Sequence, residues 1–179
     1  MPLLILLLLP WHSHATNLTL NAPTKVYFSP NGGTTQAIIK EINEAKSEIL
    51  VQAYSFTSSP IAKALVDAHK RGVKVEAILD KSQRKEGYTE ATFLTNMKIP
   101  TYIDSKHAIA HNKVMVIDKA TVITGSFNFT KAAEDRNAEN LLIIKSKDLA
   151  KFYLDNWGEH REHSEDYQRK QTTASKKKP

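Results

Sequence analysis

The stretch "HNKVMVIDKATVITGSFN", residues 111–128, opens on His111 and Lys113, separated by one residue, and closes on Ser126 and Asn128 at the same spacing. In an extended chain, residues two apart share a face, so each pair points one way. Between the pairs, "KVMVI" and "TVITG" read as two apolar strands. A two-residue turn at Lys119 and Ala120, flanked by Asp118 and Thr121, would fold them into an antiparallel hairpin. That register sets Lys113 opposite Ser126 and His111 opposite Asn128, gathering four polar groups at the open end, although Lys-Ala is a weak sequence for such a turn. Lys113 then supplies a fixed positive charge while Ser126 and Asn128 supply neutral donors, which together suit a tetrahedral oxyanion such as a phosphodiester. His111 beside them has the chemistry of a nucleophile or proton shuttle. Gly125 would let backbone approach the phosphate closely. Any one of these side chains alone is more simply a solvated hairpin residue; four converging on an apolar hairpin are not.

The hairpin needs a sheet to hold it. "KVYFS" (25–29) reads as a strand, followed by a Pro-Asn-Gly-Gly turn and a helix in "TTQAIIKEINEA", with Ala37, Ile38, Ile42 and Ala45 on one face behind Thr caps. "EILVQAY" (48–54) is a strand, "SSPIAKALVDAHKRG" a helix with Pro60 at its start and Gly72 at its end, and "VKVEAILD" a strand again. This βαβ unit predicts parallel pairing. "TEATFLTNM" reads as a short helix, "PTYID" as a short strand, and "AENLLIIKS" as a strand leading into a helix over 148–157. With the hairpin this makes about seven strands, so the expected fold is an α/β domain with a mixed, mostly parallel sheet flanked by helices on both faces.

The chain of 179 residues suits one domain with a sizeable core, expected over 16–163. "MPLLILLLLPWHSHA" carries an apolar run from Leu3 to Leu9, too short to span a bilayer, then Ser13 and Ala15 in the small-x-small spacing of a signal-peptidase site. A signal peptide over 1–15 and a periplasmic or secreted location are therefore expected. The absence of cysteine excludes disulfides, thiolate metal sites and a Cys nucleophile. Residues 164–179, "SEDYQRKQTTASKKKP", lack apolar periodicity and predict a basic, disordered tail. The formal charge of +6 favours polyanionic partners, nucleic acid above all.

"HNKVMVID" followed after six residues by "GSFN" resembles the HxKxxxxD signature, with trailing GSxN, of the phospholipase D superfamily, and most resembles its small, single-motif bacterial periplasmic endonucleases that resist EDTA. The similarity is expected to cover about residues 24–163. The resemblance implies that His111 is the nucleophile that forms a phosphohistidine, that Lys113 and Asn128 bind phosphate, and that Ser126 is a supporting donor. It also implies a carboxylate beyond GSxN that orients the histidine, for which Glu139 in "RNAEN" is the candidate. Asp118 belongs to the signature but falls at the turn, where a structural role is expected. Larger members carry two copies of the motif and this chain carries one, so the resemblance implies a homodimer with one shared site, in which one His111 attacks while its mate protonates the leaving oxygen. Opposite protonation states are then needed together.

No cofactor is implied. His107 and His111 in "HAIAH" have helical zinc-ligand spacing, but the segment lacks the Glu of HExxH and runs into a strand, so no metal is expected; His69, His160 and His163 read as surface residues. Tyr54, Phe56 and Phe127 could stack bases or pack in the core. The expected activity is sequence-nonspecific cleavage of DNA, and of RNA by the same chemistry. The alternatives are a phospholipase D or phosphatidyltransferase acting on lipid, and a non-catalytic nucleic-acid-binding module.

Overall fold

The structure, a computed structural model, describes residues 17–84 and 89–168; the expected signal segment and residues 169–179 of the expected tail lie outside the described residues. The strands are β1 (Thr24–Ser29), β2 (Glu48–Ala53), β3 (Lys74–Asp80), β4 (Thr101–Asp104), β5 (Lys113–Ile117), β6 (Thr121–Gly125), β7 (Glu139–Lys145) and β8 (Glu165–Asp166). The helices are α1 (Thr34–Glu44), α2 (Ser59–Lys70), α3 (Glu90–Asn96), α4 (Lys131–Asp135) and α5 (Lys147–His163). The strands form a single sheet in the order β1-β7-β6-β5-β2-β3-β4-β8.

The α/β class and the mixed sheet hold, but the expectation of mostly parallel pairing does not. Only β2–β3 and β3–β4 are parallel, and the other five neighbour pairs are antiparallel. Helical crossovers α2 and α3 impose parallel pairing on β2, β3 and β4, as the βαβ pattern predicts. The hairpin β5–β6 turns back within three residues and so pairs antiparallel, and β2–β5, β6–β7, β1–β7 and β4–β8 are antiparallel between strands that are not joined by a short turn. The first residues of the expected tail are not disordered: Glu165 and Asp166 extend the sheet as β8 beside β4, and the Tyr167 amide donates to the Thr101 carbonyl at 2.8 Å.

Strand alternation sorts side chains into two cores. Ile49, Val51 and Ala53 of β2 pack with Ile38 and Ile42 of α1, Ile61 and Leu65 of α2 and Leu94 of α3. Leu50 faces the other way, with Val114, Val116 and Val122, against Ala150 and Trp157 of α5. The Trp157 indole donates to the Val51 carbonyl at 3.2 Å, so α5 is both packed and bonded to the central strand. Helix α1 is not capped by Thr as expected, because Thr34 and Thr35 lie buried inside its first turn. Its free amides are met from α4, where the Glu134 carboxylate accepts from Gly33 N (3.0 Å) and Thr35 N (2.7 Å).

The hairpin turn is one residue longer than expected. Ile117 pairs with Thr121 across Asp118, Lys119 and Ala120, and Asp118 and Lys119 both take left-handed φ, 52° and 55°. Asp118 tolerates that conformation and uses it to turn its carboxylate onto the α1–β2 connection. It accepts from the amides of Lys46 (2.8 Å), Ser47 (2.7 Å) and Glu48 (3.1 Å) and from the Ser47 hydroxyl (2.8 Å). Burial alone would raise this carboxyl, but the hydrogen bonds from Ser47, Lys46 and Glu48 outweigh it and hold the pKa below the usual range. A pKa lower in the folded than in the unfolded chain gives stabilisation that is complete above the unfolded value of about 3.9 and is lost as pH falls through the folded one. Asp118→Asn should therefore lower stability at neutral pH by about 1–3 kcal/mol in denaturant unfolding. The gap to wild type should close as the titration is repeated below about pH 4; a pH-independent gap would place the effect elsewhere.

Candidate active site

The C-terminal ends of the parallel strands β2, β3 and β4, the start of β5, the end of β6 and the start of β7 all meet at one edge of the sheet, the edge where open α/β sheets place their sites. His111 and Lys113 enter from the loop after β4. Two buried carboxylates hold that loop. Asp104 Oδ1 accepts from the amides of Lys106 (3.1 Å) and His107 (3.3 Å), and Asp80 Oδ2 accepts from Ala110 N (2.8 Å). The Tyr54 amide then donates to Asn112 O at 2.9 Å, continuing the β2–β5 ladder to the residue beside His111.

His111 is exposed, with its ring 4.5 Å from that of Tyr54 at an interplanar angle of 57°. Lys113 is buried, at 6% exposure; its Nζ donates to the His111 carbonyl at 2.7 Å and lies 5.1 Å from the Tyr54 ring centroid. Burial pulls the lysine below its ordinary pKa, and the negative charge of Glu139 partly restores it. A cation held this way, with neutral carbonyl and π partners and one distant anion, is poised for an incoming anion.

Ser126, Asn128 and Glu139 reach the same edge from β6 and β7. The register differs from expectation by one residue: Val114 pairs with Thr124, so Lys113 is in line with Gly125 rather than Ser126, and His111 is not opposite Asn128. The chain then bulges, with the amides of Ser126 (3.1 Å) and Phe127 (3.3 Å) both donating to Asn140 O. Ser126 and Asn140 are further locked together, Ser126 N donating to Asn140 Oδ1 and Asn140 N to Ser126 Oγ, each at 3.0 Å. Ser126 Oγ keeps its own hydrogen for a ligand. Asn128 is half-buried and its Oδ1 is buried without a hydrogen-bond partner. Gly125 serves a different close approach from the one expected: a Cβ there would lie 2.2 Å from Asn140 O, so it admits strand β7 rather than a phosphate.

Glu139, expected to orient His111, instead accepts from Asn137 Nδ2 at 3.1 Å and acts on this edge through the charge of Lys113. Of the aromatics, Tyr54 adjoins the site, whereas Phe56 and Phe127 are fully buried in the core and cannot stack a base. His160 and His163 are half-buried rather than free on the surface; their side chains are 12% and 16% exposed and converge with His107 on Asp104. Asp80, Asp104 and Tyr54 position the site and carry no motif letter. The signal for the two aspartates was their place at the ends of "AILD" and "TYID", where successive parallel strands finish.

Comparison with known proteins agrees with this geometry. The sequence profile of the family described as "Cardiolipin synthase, PLD-like domain" matches residues 38–160. Proteins named phospholipase D from Rickettsia typhi and Rickettsia conorii are 47% and 48% identical over 130 residues, which is 73% of this chain and 64% and 65% of theirs. The chain thus spans just under two thirds of the length of these relatives. The crystal structure of Nuc, a phospholipase D family member from Salmonella typhimurium, superposes with a TM-score of 0.78 at 39% identity, covering 82% of this chain and 99% of that one. NucT from Helicobacter pylori, at 22% identity, shares the fold with a TM-score of 0.74. An HxKxxxxD strand entering at the carboxyl edge of this sheet, a GSxN bulge beside it and these relatives together establish that the chain belongs to the phospholipase D superfamily.

Proposed function

We propose that the chain is a metal-independent phosphodiesterase that cuts nucleic acid with little sequence preference, using His111 as nucleophile at a site shared by two copies. The observation that carries this reading is the exposed His111 ring beside a buried, anion-seeking Lys113, at an edge that Ser126 and Asn128 also reach. Lys113, Ser126 and Asn128 hold the non-bridging oxygens. A ring nitrogen of His111 attacks phosphorus, the bond to the leaving oxygen breaks, and the partner's His111 donates the proton that this oxygen needs. The partner's His111 then takes a proton from water, which attacks phosphorus, releases the phosphate and frees His111. Asn128 Oδ1 is buried without a hydrogen-bond partner, and the Nδ2 of the same amide is the group that donates to a phosphate oxygen. The net charge of +6 supports a polyanionic substrate bound through its phosphates.

A second reading has its own support: the relatives named phospholipase D and the profile's cardiolipin synthase description favour a lipid phosphodiester. No helix among the described residues is long and apolar enough to cross a membrane. The same site chemistry serves both substrates, so the assay decides.

Purified protein should nick supercoiled plasmid in excess EDTA, and His111→Ala should lower the rate at least 1,000-fold, on the order expected for losing a nucleophile. Cleavage abolished by EDTA at an unchanged melting temperature would assign the chemistry to a metal instead. Inactivity on DNA and RNA with headgroup release from anionic vesicles would establish the lipid reading. Glu139→Gln removes the charge that offsets the burial of Lys113, so the lysine loses its proton more readily. The alkaline limb of the kcat/KM profile should move to lower pH, and an unmoved limb would show that Lys113 charge does not limit catalysis. Sedimentation should report a dimer; a fully active monomer would exclude the shared site.

A further inference from the structure

Four side chains that the proposed phosphodiester chemistry does not use converge at the end of β4. Asp104 is fully buried, and its Oδ2 lies 2.7 Å from His160 Nδ1, 2.8 Å from His107 Nδ1 and 3.2 Å from His163 Nε2. The four potential ligand atoms all lie within 4.8 Å of one another. A carboxylate oxygen has two lone pairs, so three imidazole nitrogens oversubscribe it. Accordingly His163 Nε2 is buried and in contact with the carboxylate, yet makes no hydrogen bond of good geometry. The rings crowd as well: His107 stacks on His160 at 4.8 Å, and His163 lies 5.1 Å from His107 and 5.5 Å from His160.

We infer that Asp104, His107, His160 and His163 form a binding site for one divalent transition-metal ion of the zinc type. Three imidazole nitrogens and one carboxylate oxygen are a donor set that zinc accepts, with ligand distances of about 2.0–2.2 Å and tetrahedral geometry. Ligand atoms around such an ion stand roughly 3.3 Å apart, so the cluster needs only small side-chain rotations to close on it. His160 and His163, three apart on α5, present both nitrogens from one helix face. The outer shell is also built. Asp104 Oδ1 is held by the Lys106 and His107 amides, which leaves Oδ2 toward the histidines. Lys81 Nζ donates to the His107 carbonyl at 2.9 Å. His163 also lines a surface pocket with Lys106, Glu159 and Glu162, so the cluster lies close to solvent. Because the protein supplies all four ligands, no position stays open for a reacting water, and the ion is structural. It would tie the C-terminal end of α5 to β4 and to the loop whose far end carries His111.

The test uses the full chain, stripped with EDTA and dialysed, then titrated with zinc or cobalt. One zinc should bind per chain at about 10 µM protein, with a rise in Tm of about 5 °C. Cobalt should give the intense visible bands of a four-coordinate site. His163→Gln and His160→Gln should abolish both signals while His111→Ala keeps them, which separates this site from the phosphodiester chemistry whatever the substrate proves to be. His107→Asn, on the exposed loop, serves as the second variant if the helix variants do not fold. Zinc that leaves Tm unchanged, or binding that survives these substitutions, would overturn the inference.

Discussion

Strand β5 lies antiparallel between β2 and β6 and is buried from Lys113 to Ile117, and the site depends on that placement. Were β5 parallel to β2, its amino end would sit at the opposite edge of the sheet, away from Asp80, Asp104 and Tyr54. Lying antiparallel, it begins where β2, β3 and β4 finish, so a single edge receives the strand start that bears His111 and Lys113 together with the loops that restrain it. The packing that enforces this is two-sided: Met115 and Ile117 face the core under α1 and α2, and Val114 and Val116 face α5.

Burial at this strand is also what gives Lys113 its character. A lysine on a surface hairpin would be fully hydrated, whereas at the first position of a central strand it loses most of its water and gains only a carbonyl, an aromatic face and the more distant Glu139. The desolvation cost is carried by the surrounding fold. Asp118 contributes from the far end of the same hairpin, stitching the turn to the α1–β2 connection through three amides and a hydroxyl. The two ends of the signature therefore do different jobs: His111 and Lys113 face the sheet edge, while Asp118 holds the strand between them in register.

Much of this was legible locally. The βαβ run from β2 to β3 followed from apolar periodicity, Pro60 and Gly72, and the helix over α1 from its repeated apolar face. Less legible was anything set by distant partners. The capping of α1 by Glu134 crosses about a hundred residues, and α4 is too short, at five residues, for helical periodicity to show. The one-residue error in the hairpin register arose because Asp118 in a left-handed conformation reads like an ordinary strand end until its carboxylate partners on another loop are known.

The sequence by itself determined the chemistry at hand: a histidine and a lysine two apart, a trailing Gly-Ser-x-Asn, and the α/β class, all of which follow from residue type and short-range spacing. Only the tertiary structure decided the direction of the strands around β5, the burial of Lys113, the removal of Phe56 and Phe127 into the core, and the meeting of Asp104 and His107 with His160 and His163 across some fifty residues. The reason is physical. Dihedral preference and hydrophobic period act over a few residues, whereas desolvation and the sharing of one carboxylate by three imidazoles exist only once distant segments are packed together.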